Sequence, residues 1–243
     1  MVLIFVKSMK NQIKKDLQRL SDTRRAKISS SFFKTGKGQY GEGDIFLGIT
    51  VPKQREVAKK YLNLPINEIE ALLTSRIHEH RLVALIILTE KYNKSSQKEK
   101  KEIFDFYLSN AKNINNWDLV DSSADKIAGR YFFENGQVRN NVTLTNLAKS
   151  ENLWEKRISI ISTFYFIKNN EFEETCRISE LLLKDKHDLI HKAVGWMLRE
   201  VGKKDQKAEE DFLVKHYKKM PRTMLRYAIE RFDYKKRKFY LEK

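Results

Sequence analysis

Apolar residues recur at helical spacing over most of the chain. The runs are Arg81–Tyr92 (RLVALIILTEKY), Glu102–Ala111 (EIFDFYLSNA), Arg157–Ile167 (RISIISTFYFI) and Arg177–Asp185 (RISELLLKD), then His191–Gly202 (HKAVGWMLREVG), Ala208–Tyr217 (AEEDFLVKHY) and Arg222–Phe232 (RTMLRYAIERF). Each places its large apolar side chains at i, i+3, i+4 and i+7, the signature of a helix burying one stripe. Short polar breaks such as NKSSQ, NINN, FENGQ, KSEN and KDKHD separate them, with Ser, Asn and Asp where helix caps are wanted. No stretch sustains strict alternation, so an all-α protein is predicted.

Helices that begin with a basic residue and then run apolar start near Arg81, Arg157 and Lys192. Their spacing fits helix-pair units of roughly 35–40 residues, the period of HEAT- and armadillo-type solenoids. A unit of this kind cannot bury its apolar face alone, so neighbouring units stack. The expectation is one HEAT-like/armadillo-like helical-repeat superhelix over residues 1–243, whose second helices line a concave groove. No long linker interrupts it.

Composition sharpens this picture. Only three prolines and nine glycines in 243 residues favour long helices, and 48 Lys+Arg against 32 Asp+Glu give a formal charge of +16. An excess of that size on a folded domain is an electrostatic footprint for a polyanion, most often nucleic acid. The concave groove is therefore expected to be basic and wide enough for a duplex. Cys176 is the only cysteine, which excludes an intrachain disulfide and a Cys-rich zinc site and fits a reducing compartment. The start, MVLIFVKSMK, has an apolar run too short to cross a bilayer and lacks a basic lead-in and a small-residue cleavage site. A cytoplasmic monomer without membrane association is expected.

Three motifs look like chemistry and fail on context. The segment Thr35–Asp44 (TGKGQYGEGD) holds four of the nine glycines and contains GKGQYG, a formal G-x-G-x-x-G. A dinucleotide fingerprint needs a preceding strand, a helix opening on the third glycine and an acidic residue further on, and a P-loop needs GK[ST]. None is present. The segment reads as a flexible connection to a helix begun by Pro52, or as a mobile lid carrying Lys34, Lys37 and Tyr40 over a bound backbone. The stretch His187–His191 (HDLIH) imitates H-E-x-x-H with Asp in place of Glu and no third ligand, so a solvated helix start is expected there. His78 and His80, two apart, point to different sides of a helix. No metal and no cofactor are called for.

The remaining candidates are aromatic and charged residues on helix faces. In Asn115–Phe132, read as one helix, Leu119, Val120, Ser123, Ile127 and Tyr131 form a packing stripe. Trp117, Asp121, Ala124 and Ala128 form a second stripe about 100° away, with Trp117 and Asp121 at i, i+4. An indole beside a carboxylate off the core face is either a surface left open for a ligand or an ordinary amphipathic helix whose Trp covers a neighbouring turn. Trp196 lies at the edge of a stripe of Ala193, Val194, Met197, Leu198 and Val201, with Lys192 and Arg199 on the outer face. Arg157 shares a stripe with Trp154, Ile161 and Phe164, where a guanidinium needs an anion, either a carboxylate of an adjacent repeat or a phosphate.

NNWDLVDSSAD, LWEKRISII, HKAVGWMLRE and PRTMLRYAIERF, together with FLGITVPKQREVAKKY at Phe46–Tyr61, resemble the motifs of the AlkD-type DNA alkylation-repair glycosylases from about residue 30 to 232. The resemblance implies a HEAT-like solenoid. It also implies hydrolysis of the N-glycosidic bond of cationic N3- or N7-alkylpurines in duplex DNA, without strand cleavage and without a deep base pocket. It assigns the site to Trp117, Asp121, Arg157 and Trp196. DNA contacts are expected from Arg157, Lys192 and Arg199, and from Lys34, Lys37 and Tyr40 of the glycine-rich segment. The alternative is a non-catalytic helical-repeat protein that binds distorted or branched DNA.

Overall fold

The computed structural model describes residues 8–242, so the apolar start Met1–Lys7 lies outside the described residues. Among these residues the protein is an all-α helical-repeat fold; one isolated bridge, Ile45 to Ile77, stands in for any strand. The chain divides between Ser123 and Ala124 into two compact units.

The first unit contains α1 (Met9–Arg19), α2 (Thr23–Phe32), α3 (Val51–Lys59), α4 (Ile66–Leu73), α5 (His78–Lys94), α6 (Gln97–Ser109) and α7 (Trp117–Ser123). Its centre is α5, which packs against α1, α3, α4, α6 and α7. The run Leu82–Leu88 is apolar on nearly every side, and such a helix belongs inside; Val83, Ala84, Ile87 and Leu88 have no exposed surface. α6 opens with a capping box in which the Ser96 hydroxyl accepts from the Glu99 N–H and the Glu99 carboxylate accepts from the Ser96 N–H. Pro52 falls within the first turn of α3, where its missing N–H costs nothing.

The second unit contains α8 (Arg130–Glu134), α9 (Val142–Ala148), α10 (Leu153–Lys168), α11 (Glu173–Leu181), α12 (Asp188–Lys204), α13 (Gln206–His216), α14 (Arg222–Ala228) and α15 (Tyr234–Leu241). α10 and α12 form its core. The buried hydroxyls of α10 are satisfied within the helix: Ser159 donates to the Lys156 carbonyl, Ser162 to Ile158 and Thr163 to Ile160. The stripe read for α12 is confirmed, since Ala193, Val194, Met197, Leu198 and Val201 are fully buried. Gly195 lets α14 come close: a Cβ there would strike the Met224 carbonyl oxygen and stand 2.5 Å from Tyr227 Cβ.

Two expectations are corrected. The stretch Asn115–Phe132 is not one regular helix, because residues Asp125–Gly129 form a π-helical turn. That turn takes in one extra residue and shifts the inward register, so Phe132 is buried instead of Tyr131. Ala124, before the turn, and Ala128, within it, are fully buried rather than open. The helix predicted over Arg177–Asp185 ends at Leu181.

Candidate functional site

α7 begins at Trp117, whose backbone N–H is received by the Asn116 side-chain carbonyl at 2.8 Å. Trp117 and Asp121 are both half-buried and one turn apart, while Leu119, Val120 and Ser123 are buried against the rest of the unit. The Trp117 ring stacks on Phe33 with centroids 5.3 Å apart and planes 21° apart, and Phe32 meets it edge-on at 5.9 Å. The stack continues inward from Phe33 to Phe46 at 5.0 Å and from Phe46 to His78 at 4.5 Å. One face of the indole is thereby fixed by protein.

Beneath this stack lies a buried ionic network that the sequence reading missed. His78 Nε2 sits 2.8 Å from Asp118 and its Nδ1 sits 3.4 Å from Asp44. Asp44 also accepts from Arg81 at 2.6 Å and from Asn116 at 3.3 Å. Burial disfavours the imidazolium, but the Asp118 and Asp44 carboxylates outweigh it and push the His78 pKa up to about 9. For Asp44, burial raises the pKa and is overcome by the His78 hydrogen bond and the Arg81 charge, so its carboxyl is held below the usual range. His78 is therefore a cation at neutral pH, bridging the glycine-rich segment to the first turn of α7. One signal could have revealed it, since W-D-x-x-D carries a carboxylate at Asp118 as well as at Asp121.

The glycine-rich segment is a series of hydrogen-bonded turns. Gly36 N–H donates to the Gln39 side chain at 2.9 Å, Gly38 N–H to Glu42 at 2.7 Å, Gly41 N–H to the Lys34 carbonyl at 3.1 Å and Asp44 N–H to Gly41 at 3.1 Å. Its end is anchored by the buried Asp44. Lys34 and Lys37 are exposed, Lys34 with a left-handed φ of 55°, and Tyr40 is half-buried.

In the second unit Arg157 is 4% exposed and its Nη1 donates to the Leu189 carbonyl at 2.6 Å, so α10 is tied to the first turn of α12. Of the two partners left open by the sequence, neither is the one at this nitrogen, which meets a main-chain oxygen. Trp196 is half-buried at the edge of α12. Its indole N–H donates to Glu200 at 3.0 Å, and Phe164 of α10 lies 5.6 Å away at 52°. Lys192 pairs with Asp188 at 2.7 Å, and Arg199 pairs with Glu230 and approaches Glu200 at 3.8 Å. The Lys192 pair, one turn apart and substantially exposed, is of the weak, exchangeable kind. His187 caps α12 by accepting from the Leu189 N–H at 3.1 Å, and His191 Nε2 contacts the Asp185 carbonyl at 2.6 Å. These two histidines serve the helix start. Among the described residues no helix is long and apolar enough to cross a membrane.

Comparison with known proteins places these features in context. A family model described as DNA alkylation repair enzyme matches residues 13–232. A solved structure described as a predicted DNA alkylation repair enzyme from Enterococcus faecalis is similar with a TM-score of 0.71 and 17% identity, over 88% of this chain and 97% of that one. The crystal structure of smu.31 from Streptococcus mutans UA159 is similar with a TM-score of 0.54 and 17% identity, over 93% of this chain and 99% of that one. No curated protein matches the chain.

Proposed function

The chain belongs to the DNA alkylation repair enzyme family, and from that premise we propose that it is a monofunctional DNA glycosylase that hydrolyses the N-glycosidic bond of cationic N3- or N7-alkylpurines in duplex DNA. The observation that carries this reading is the pair Trp117 and Asp121, one turn apart on α7 and both half-buried, with the indole braced from behind by Phe33.

The chemistry asks little of the protein. An N3- or N7-alkylated purine is already cationic, so it departs with the bonding electrons as a neutral base and needs no general acid. The deoxyribose left behind develops oxocarbenium character at C1′. A carboxylate near C1′ stabilises that charge and orients the water whose oxygen forms the new bond, and Asp121 takes both roles. The electron-rich face of an indole adds cation–π stabilisation of about 0.5–2 kcal/mol. Trp117 supplies one such face, and the motif that holds Trp196 assigns it the same task. Arg157 is assigned to the DNA backbone by its motif, and its tie to Leu189 fixes its position in the fold. No lysine is required as a Schiff-base nucleophile, so the product is an abasic site in an uncut strand.

The test is release of free base from a duplex containing 7-methylguanine or 3-methyladenine. Wild type should release base well above the spontaneous rate. Asp121→Asn should lower the single-turnover rate by about 100-fold or more with an unchanged melting temperature, and Trp117→Ala should lower it as well. Release at the spontaneous rate by wild type removes the enzyme reading, and tight salt-dependent binding without release establishes the non-catalytic alternative.

A further inference from the structure

The helix α2 is unusual in burying none of its ten residues. A helix of that length is marginal on its own, yet this one is pinned at both ends. At its start, the Asp22 carboxylate accepts from the Arg25 N–H at 3.0 Å, and the Asp22 N–H donates to the Leu47 carbonyl at 2.8 Å. Gly48, with φ of +80°, lies so close to Asp22 and Ala26 that a Cβ there would strike the Asp22 carbonyl. At its end, Phe33 is stacked between Phe46 and Trp117. Both ends of α2 are thus held by contacts, while among the described residues its outer face is left uncovered.

That face has a definite character. Arg25, Ile28 and Phe32 fall at i, i+3 and i+7, and Arg24 precedes Ile28 by four, so the four side chains share one stripe. Ile28 is 63% exposed and Phe32 is 62% exposed, two large apolar groups presented to solvent side by side. Arg24 and Arg25 flank them and Lys27 stands beside the stripe, all exposed, whereas the one acidic residue, Asp22, is engaged as the helix cap. Phe32 also meets Trp117 edge-on at 5.9 Å, which makes the stripe continuous with the tryptophan of the proposed site.

We infer that the outer face of α2 is a docking surface for duplex DNA, with Arg24 and Arg25 on phosphates and Ile28 and Phe32 against the deoxyribose and base edges beside the lesion. Charge complementarity selects the occupant: two guanidiniums at the start of the helix are followed along the same stripe by two apolar groups, and with a rise of about 1.5 Å per residue the stripe spans about 12 Å. Phosphate contacts position a duplex, and apolar side chains wedged at a base step hold it open or bent. The inference rests on the chain's acting on DNA and not on its being a glycosylase. It adds an element that neither the site residues nor the glycine-rich segment supplies.

The experiment measures affinity for an unmodified duplex by fluorescence anisotropy across salt concentrations, with wild type, Arg24→Ala/Arg25→Ala, Ile28→Ser and Phe32→Ser. Loss of two phosphate contacts should reduce the slope of log affinity against log salt by about 2, given about 0.9 per phosphate. Phe32→Ser should weaken binding about tenfold with the slope unchanged, because an apolar contact releases no counterions. Wild-type binding by both the arginine variant and Phe32→Ser overturns the proposal. So does unchanged binding with a lowered melting temperature, which would mean another part of the chain covers the face. Unchanged binding with a shift in molecular mass would assign the face to a second copy and equally overturn it. Base release is measured in parallel on a 7-methylguanine duplex, and its absence from wild type defeats the glycosylase reading while leaving the binding result intact.

Discussion

Replacing His78 with Gln removes the cation at the centre of the network under Trp117, and the consequence depends on pH in a definite direction. His78 has its pKa raised from 6.5 to about 9, chiefly because Asp118 and Asp44 overcome the cost of burial. A base whose folded pKa is raised stabilises the fold fully below its unfolded pKa, and that stabilisation is lost as the pH climbs through the folded value. The rise from 6.5 to about 9 corresponds to about 3 kcal/mol. Stability from urea denaturation, measured from pH 6 to pH 10, should therefore show wild type ahead of His78→Gln by its largest margin near pH 6. The margin should shrink by about 3 kcal/mol by pH 10. Loss of ring stacking on Phe46 and Phe33 adds an offset that does not vary with pH. Titrating groups remote from His78 are common to both proteins and cancel in the difference. A margin that stays constant from pH 6 to pH 10 would refute the assignment of His78 as an imidazolium held by two carboxylates.

Gly195→Ala should destabilise the protein by about 1–2 kcal/mol, because overpacking against Met224 and Tyr227 exceeds the helix-propensity gain of about 1 kcal/mol; an equally stable variant in urea denaturation would show that α12 and α14 separate freely. Glu209 is 2% exposed, one of its carboxylate oxygens lacks a partner, and burial together with Glu210 pushes its pKa up to about 8. An acid raised in this way costs stability as pH rises from about 4.5 through 8, so Glu209→Gln should flatten that decline and leave the protein about 3–5 kcal/mol more stable above pH 8. Superimposable pH profiles for the two proteins would contradict it.

The helices from α5 onward that bury one stripe, or are apolar all round, were legible because burial is what hydrophobic spacing reports, whereas α2, which buries no residue, left no such trace. The reading of α12 shows this directly, since the five residues placed on its inner side are fully buried. The reading failed where the backbone changes its period. A π-helical turn takes in one more residue than an α-helical turn, and nothing in Asp125–Gly129 marks it, so the inward position beyond it was assigned to Tyr131, one residue before the buried Phe132. The glycine-rich segment shows a related limit. Four glycines suggest freedom, but the N–H groups of Gly36, Gly38 and Gly41 are held by Gln39, Glu42 and the Lys34 carbonyl, and only the partners distinguish a loose loop from a set of turns.

The same distinction explains what was and was not visible around α7. Trp117 and Asp121 stand out in the sequence because they lie one turn apart and off the core stripe; the packing of Trp117 on Phe33 and Phe32, from a distant part of the chain, does not. Asp118, three residues before Asp121, looked like any surface acid. Its partner, His78, lies forty positions earlier in a stretch dismissed for its metal-like spacing, and long-range pairing leaves no periodic trace. Physically the two aspartates of W-D-x-x-D stand three positions apart but differ in burden. Asp118 is committed to the buried imidazolium and secures the first turn of the helix. Asp121 stands with Trp117, half-buried, one turn further on. A helix of seven residues that buries only Leu119, Val120 and Ser123 has little apolar surface with which to fix its first turn. The ionic clasp from Asp44 through His78 to Asp118 supplies the missing constraint. Asp118→Asn should therefore disturb the setting of Trp117 before it disturbs the chemistry at Asp121, visible as weaker binding of an alkylated duplex with a smaller loss in single-turnover rate than Asp121→Asn produces. An equal loss of rate in the two variants would mean that both carboxylates act on the substrate and that the clasp is not what sets the helix.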